Sequence, residues 1–327
     1  MSFLEPYRSY IKPVLLGALS ALLFSSVLSG NLLALLLFLL APFPLFISGL
    51  RDGIKPLTVS LMVGVSLMLL LSGAGAGIFY LFLLALPVYM LIVKALQVRQ
   101  CQTFNPTNAH DQKGILLKNI VLEGERVTSL VLIHSLYGLL LVTGVFALFW
   151  KVVDPKLVTE FVTPLLEWWK LPVTEETVFA VSSTIPGHFT FFNLLIIFAN
   201  GVVAHLILKS QGNSLIKTPD LKALSLPFWP WGVLLGASLV AIIMQKSLWN
   251  VYAFNVLLVL RMLFLLQGLS VAHTYVTTRQ NGKRFLVPLY LFVFLVDWLG
   301  LLIAGLGVLE PWLKLRHRFA NQKRGDR

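Results

Sequence analysis

Nine stretches of this chain are almost free of charge, and none alternates between apolar and polar residues. They are 13–30, 32–50, 56–73, 76–96, 127–150, 188–208, 228–246, 249–276 and 285–309. Each approaches the roughly 20 apolar residues a helix needs to cross hydrocarbon about 30 Å thick. All greatly exceed the roughly ten residues of a membrane-barrel strand. A backbone in lipid must satisfy its own hydrogen bonds within the segment, so helices follow. The pattern predicts an all-α fold: a polytopic transmembrane helix bundle of eight or nine spans, with 1–327 as a single integral membrane domain.

Two longer polar intervals divide the runs. Residues 97–126 carry only a short apolar patch, "ILLKNIV", and read as a cytoplasmic loop. Residues 151–187 read as an extracytoplasmic loop. There Leu157, Val158, Phe161, Val162, Leu165, Leu166 and Trp169 recur at helical spacing among Glu160, Glu167 and Lys170. That spacing predicts an amphipathic helix on the outer surface, with Trp168 and Trp169 at headgroup depth. Residues 310–327 form a basic C-terminal tail.

Composition changes the picture by excluding a soluble fold. Hydrophobic residues make up 57% of the chain and charged residues 12%, too few to coat a soluble core of this size. The net charge of +12 invites a nucleic-acid reading, but the basic residues sit in short loops and the tail. With the N-terminus inside, the inner loops hold most of them, and the outer loops hold only Lys151, Lys156, Lys170 and Lys246. This bias places the N-terminus in the cytoplasm of a bacterial inner membrane and leaves no role for nucleic acid. Nine full spans would put the basic tail outside, against the same rule, so the short 56–73 run before "GAGAG" is a candidate re-entrant segment. The first run resembles a signal peptide, but a second follows after only Asn31, so it reads as a retained span. Cys101 is the only cysteine, which excludes an internal disulfide and a cysteine-rich metal site.

Candidate chemistry lies in the polar residues inside the apolar runs. Arg261 sits near the centre of the eighth, where an arginine costs about 3 kcal/mol on insertion scales. Asp297 lies near the middle of the ninth. Both reach about 20 Å into the membrane from the intervening loop at 1.5 Å per residue, so an Arg261–Asp297 ion pair is geometrically natural. Such a pair either fixes helix register or shapes a charged site for a solute or proton. Asn193 and Asn200 share a face of the sixth run, Asn255 and Gln267 lie in the eighth, and His134 and Tyr137 share a face of the fifth. Together they make a polar interior plausible. Gly17, Ala21, Ser25 and Ser29 form a small-residue stripe, as do Gly232 and Gly236. Such stripes let helices pack closely, within the chain or against another subunit. Pro42 and Pro44 interrupt the second run, as a kink or as the broken helix of a transporter site.

No Walker loop, H-E-x-x-H, C-x-x-C or G-x-S-x-G occurs, so neither an enzyme nor a cofactor is expected. The residues point to a solute-binding or transport-related membrane subunit without its own ATPase, with lipid, membrane partner subunits and a small-molecule solute as its partners. The alternative is a membrane scaffold or assembly factor.

"LAPFPLFISGLRDGIKPL" resembles the second span and basic turn of the YybS-like family, uncharacterised bacterial polytopic membrane proteins. "FFNLLIIFANGVVAHLILK", "LPFWPW", "NVLLVLRMLFLLQGLSVAH" and "GVLEPWLKLRHRF" follow in that family's order. In the last, Glu310 stands where the family has aspartate, with Leu315 and Arg316 after it. The resemblance covers most of the chain outside the two long loops and implies a bacterial inner-membrane protein. A remoter likeness runs to the substrate-capture subunits of energy-coupling-factor transporters, whose first-span small-residue motif docks the coupling subunit. Gly17 and Ala21 match that motif.

Overall fold

The computed structural model describes residues 5–100, 112–152, 154–245, 247–278 and 282–319. Among these there is no strand. The helices are α1 (Glu5–Ser25), α2 (Leu32–Leu39), α3 (Phe43–Asp52), α4 (Ile54–Tyr80), α5 (Leu86–Gln100), α6 (Gln112–Val152), α7 (Pro155–Trp168), α8 (Glu175–Ser182), α9 (Ile185–Ser210), α10 (Trp229–Ile243), α11 (Leu248–Thr278), α12 (Leu286–Leu295) and α13 (Asp297–Leu313).

Among the described residues, six helical stretches are long and apolar enough to cross a membrane: Tyr10–Ser29, Leu32–Asp52, Ile54–Gln97, Val127–Lys151, Glu175–Ser210 and Leu248–Thr278. Eight or nine were expected, and the shortfall has three physical causes. The runs 56–73 and 76–96 join into one helical stretch. The seventh run is helical only over Trp229–Ile243, which is 15 residues. The ninth is broken at Val296 (φ −117°, ψ 98°), between α12 and α13.

The joined stretch does not run straight. Its 44 residues would extend about 66 Å, twice the thickness of hydrocarbon. The chain turns at Gly73 (φ 85°, ψ 175°), a conformation suited to glycine alone. As a result the Tyr80 hydroxyl lies against Gly64, which sixteen residues of straight helix would hold about 24 Å away. The second run is broken at 40–42, a turn that ends on Pro42. The expected 97–126 loop is partly helix, since α6 begins at Gln112; residues 101–111 of it lie outside the described residues.

The chain divides into two compact units. The first holds Met1–His134 and Asn193–Pro219, the second Ser135–Phe192 and Asp220–Arg327. In the first, α1 packs on α4 so closely that a Cβ at Gly17 would overlap the Ser60 carbonyl. The Ser60 hydroxyl donates to the Pro13 carbonyl (2.8 Å) and pairs with Ser48 (2.9 Å). The loop after α9 is held by Leu215 N donating to Leu50 O (2.8 Å) and by His205 between Ser214 (3.0 Å) and Thr218 (3.1 Å).

The second unit is built on α11, in which every residue from Met262 to Val271 is buried. A helix apolar on all faces is stable only when surrounded. Trp231 of α10 meets Phe264 edge-on with ring centres 5.2 Å apart, and its indole donates to Val308 O (2.9 Å). The α11–α13 crossing runs through glycines. A Cβ at Gly268 would overlap the Ile303 carbonyl, and one at Gly307 the Phe264 carbonyl.

Candidate functional site

Arg261 projects from α11 with its guanidinium carbon 4.8 Å from the centre of the Phe191 ring, within the range of a cation–π contact. Its Nη2 lies 3.0 Å from where a Cβ on Gly300 would stand, so a side chain there would displace the guanidinium by a few tenths of an ångström. Gly300 belongs to the first turn of α13, which starts directly after the break at Val296. The arginine head therefore sits beside the start of a half-helix inside an apolar run. A helix start is electropositive and repels a cation, so an acidic group in that turn is the natural compensation. Asp297 opens the turn, and its side chain lies outside the described residues.

Asn255 is fully buried and completely satisfied. Its amide nitrogen donates to Ser183 O and Val251 O (both 2.8 Å), and its oxygen accepts from Gly187 N. Ser183 ends α8 and Gly187 lies in the first turn of α9, so this one amide spans the interruption between the two helices. Gly187 has no room for a Cβ against Asn255. Replacing Asn255 with leucine strands a carbonyl and an N–H in a dry interior. We expect a loss of roughly 2–3 kcal/mol, read as a lower temperature of half-loss of monodisperse protein in detergent; a variant as heat-stable as the parent would contradict this.

Asn200 does the same in the first unit. Its amide donates to Ile196 O (2.8 Å) and to Leu39 O (2.9 Å), the last carbonyl of α2. Ser20 donates to Ala41 O (2.7 Å) in the same gap and accepts from Tyr80 (2.8 Å). Helix breaks at membrane depth are tolerated where side chains satisfy the freed backbone groups, and these residues supply that.

The other candidates fall differently. Gln267 is 2% exposed, and its amide oxygen has no hydrogen-bond partner among the described residues. The Asn193 oxygen is likewise without one. Asn193 and Asn200 belong to the first unit, whereas Arg261, Asn255, Gln267 and Asp297 belong to the second. Ala21 is buried beside Gly17, while Ser25 bonds its own helix at Leu22 O (3.0 Å). Gly232 and Gly236 are exposed on α10 with open space beside them.

One cluster was not singled out as a site from sequence. Helix α13 continues to Leu313, so the tail begins later than residue 310. Lys314 takes a left-handed conformation (φ 48°) and turns the chain back. The Glu310 carboxylate, 6% exposed, then accepts from Leu315 N (2.9 Å), Arg316 N (3.3 Å) and Arg316 Nε (2.8 Å). Arg316 Nη1 donates onward to Lys222 O (3.1 Å), Leu224 O and Ser270 Oγ (3.3 Å). This clasp ties the end of the chain to the loop before α10 and to α11. The available signal was a lone acid ending an apolar run, six residues before an arginine.

Apolar helices long enough to cross a bilayer, with their interruptions satisfied by buried amides and hydroxyls, define a multi-pass helical membrane protein. Residues 172–310 match the model of a family described as "Predicted membrane protein (DUF2232)". The matched region runs from α8 through the break at Val296 and ends on Glu310. No curated protein and no solved structure matches the chain.

Proposed function

We propose that this is a solute-binding or transport-related subunit of the bacterial inner membrane, without chemistry or an ATPase of its own. The observation that carries this reading is the break at Val296 with the Arg261 guanidinium beside the first turn of α13. Discontinuous helices with a charged residue at membrane depth are a recurrent way to build a solute site. In this reading Arg261 and Asp297 form the charged centre, and Gln267 offers it an unused amide oxygen. Asn255 and Asn200 hold helix breaks instead of touching solute.

In this reading the turn at Gly73 divides Ile54–Gln97 into two crossings, and α10 and the broken α12–α13 are two more, for nine segments in all. Of these, α10 at about 22 Å is the shortest against hydrocarbon about 30 Å thick. The N-terminus and the basic loops lie on the cytoplasmic side. The remote likeness to energy-coupling-factor capture subunits is what suggests reliance on partners, although the Gly17–Ala21 stripe that carries it packs within the chain. Because the Gly17 face is taken by α4, a partner has the open Gly232–Gly236 face of α10 instead.

A scaffold is the second reading, favoured by the solid packing of Met262–Val271. Native mass spectrometry of the detergent-extracted full chain separates the two. For the solute reading we expect a retained small-molecule mass that Arg261→Met and Asp297→Asn both release while the proteins stay monodisperse. Retention of a protein partner alone, unchanged in both variants, would establish the scaffold and end the solute reading.

A further inference from the structure

Helix α7 presents three faces instead of two. At 3.6 residues per turn, Leu157, Phe161, Pro164 and Trp168 fall within an arc of about 60°. Leu157, Phe161 and Trp168 are 61%, 66% and 78% exposed. About 150° around the helix from this stripe lie Val162 and Leu166, which are fully buried and fix the helix against the protein. The remaining face carries Lys156, Glu160 and Glu167, all exposed. A helix free in water has no use for the first face, and one buried in protein has no use for the third.

Connectivity says what covers the apolar stripe. The apolar helix α6 ends at Val152, and only two residues separate it from Pro155. A link that short keeps the start of α7 within about 10 Å of the end of a membrane-crossing helix. That end is marked by rings. Trp150 of α6 contacts Phe179 of α8 (5.8 Å between centres) and Phe146 (6.1 Å). Phe146 meets Tyr252 (5.3 Å), which meets Trp249 of α11 (6.4 Å). Trp150 and Trp249 are exposed aromatics at the ends of the apolar helices α6 and α11, the placement expected at a membrane–water interface, and the exposed Phe179 joins them from α8.

We propose that α7 lies in the plane of the headgroup region at this end of the molecule. Leu157, Phe161, Pro164 and Trp168 enter the acyl chains of the adjacent leaflet, Val162 and Leu166 anchor the helix to the protein, and Lys156, Glu160 and Glu167 face water. Its ligand is the phospholipid interface, and the inference is independent of any solute.

The single native cysteine makes the test direct. In a Cys101→Ser background, spin labels are placed through Leu157→Cys, Phe161→Cys, Glu160→Cys and Glu167→Cys. The full chain is reconstituted in phosphatidylcholine–phosphatidylglycerol vesicles. Labels at 157 and 161 should collide freely with oxygen, resist a water-soluble nickel chelate, and lie roughly 5–10 Å below the phosphates. Labels at 160 and 167 should show the reverse. Nickel access at 157 and 161 equal to that at 160 and 167 overturns the proposal, because the stripe then faces water. Immobile labels at 157 and 161 shielded from both reagents also overturn it, because a second copy or another protein then covers the stripe.

Discussion

Gly268→Ala should lower the stability of the protein by about 3 kcal/mol, although it adds one methyl group. The new Cβ would meet the Ile303 carbonyl, a backbone group that cannot rotate away. The only relief is to separate α11 from α13. That costs contacts along the whole crossing, and in lipid such packing is what holds helices together. Gly307 faces the Phe264 carbonyl and the Gly268 nitrogen from the other side, so the two helices touch backbone to backbone. In detergent, the temperature at which half the monodisperse protein is lost should fall by about 10 °C. Gly305→Ala is the control, since nothing lies within 4 Å of a Cβ there. Equal behaviour of the two variants would show that the helices do not cross at Gly268.

Glu310→Gln should cost a similar amount, about 3 kcal/mol, by a different route. The carboxylate accepts two backbone N–H groups and the Arg316 Nε, and it is almost wholly buried. An amide in its place brings an NH₂ group toward donors and leaves the guanidinium without its counter-charge. Breaking one side of such a pair costs more than removing both, so Glu310→Leu combined with Arg316→Met should be less damaging than Glu310→Gln alone. Detergent heat stability again reports the result, together with proteolysis after residue 314. If Glu310→Gln melts with the parent and its tail is cut no faster, the clasp does not hold the chain end.

These effects differ in how far they can be read from a linear chain. The apolar runs were legible because hydropathy and length are local properties, and among the described residues each of the nine is largely helical. Their interruptions were legible only where the chemistry is local. Pro42 and Pro44 announce the break after Leu39. Nothing in "FLVDW" announces the one at Val296, which joins two helices without a glycine or proline. Gly73 lies in a glycine-rich stretch, but its reversal shows only when Tyr80 is found against Gly64.

The polar residues divide in the same way. A buried asparagine in an apolar run signals that some group needs a hydrogen bond, without saying which. Asn200 and Asn255 prove to serve the freed backbone of neighbouring interrupted helices. Arg261 was conspicuous from its cost, but its neighbours Phe191 and Gly300 come from separate elements far away in sequence. Glu310 stood at the end of a run, where an acid is unremarkable until the chain turns at Lys314 and brings Arg316 onto it.

The two small-residue stripes show where the division lies. Gly17 and Ala21, and Gly232 and Gly236, have the same spacing and the same permissive chemistry. One pair is closed against the backbone of α4, and the other is open on the surface of α10. By itself the sequence determined that the chain is helical and lives in lipid, because the energy of hydrocarbon transfer and backbone satisfaction adds up residue by residue along a segment. Only the tertiary structure decided which helices break, what satisfies the breaks and which small residues meet a neighbour. Those choices depend on contacts between segments distant in the chain, and lipid rewards close fit between helices without dictating the partner.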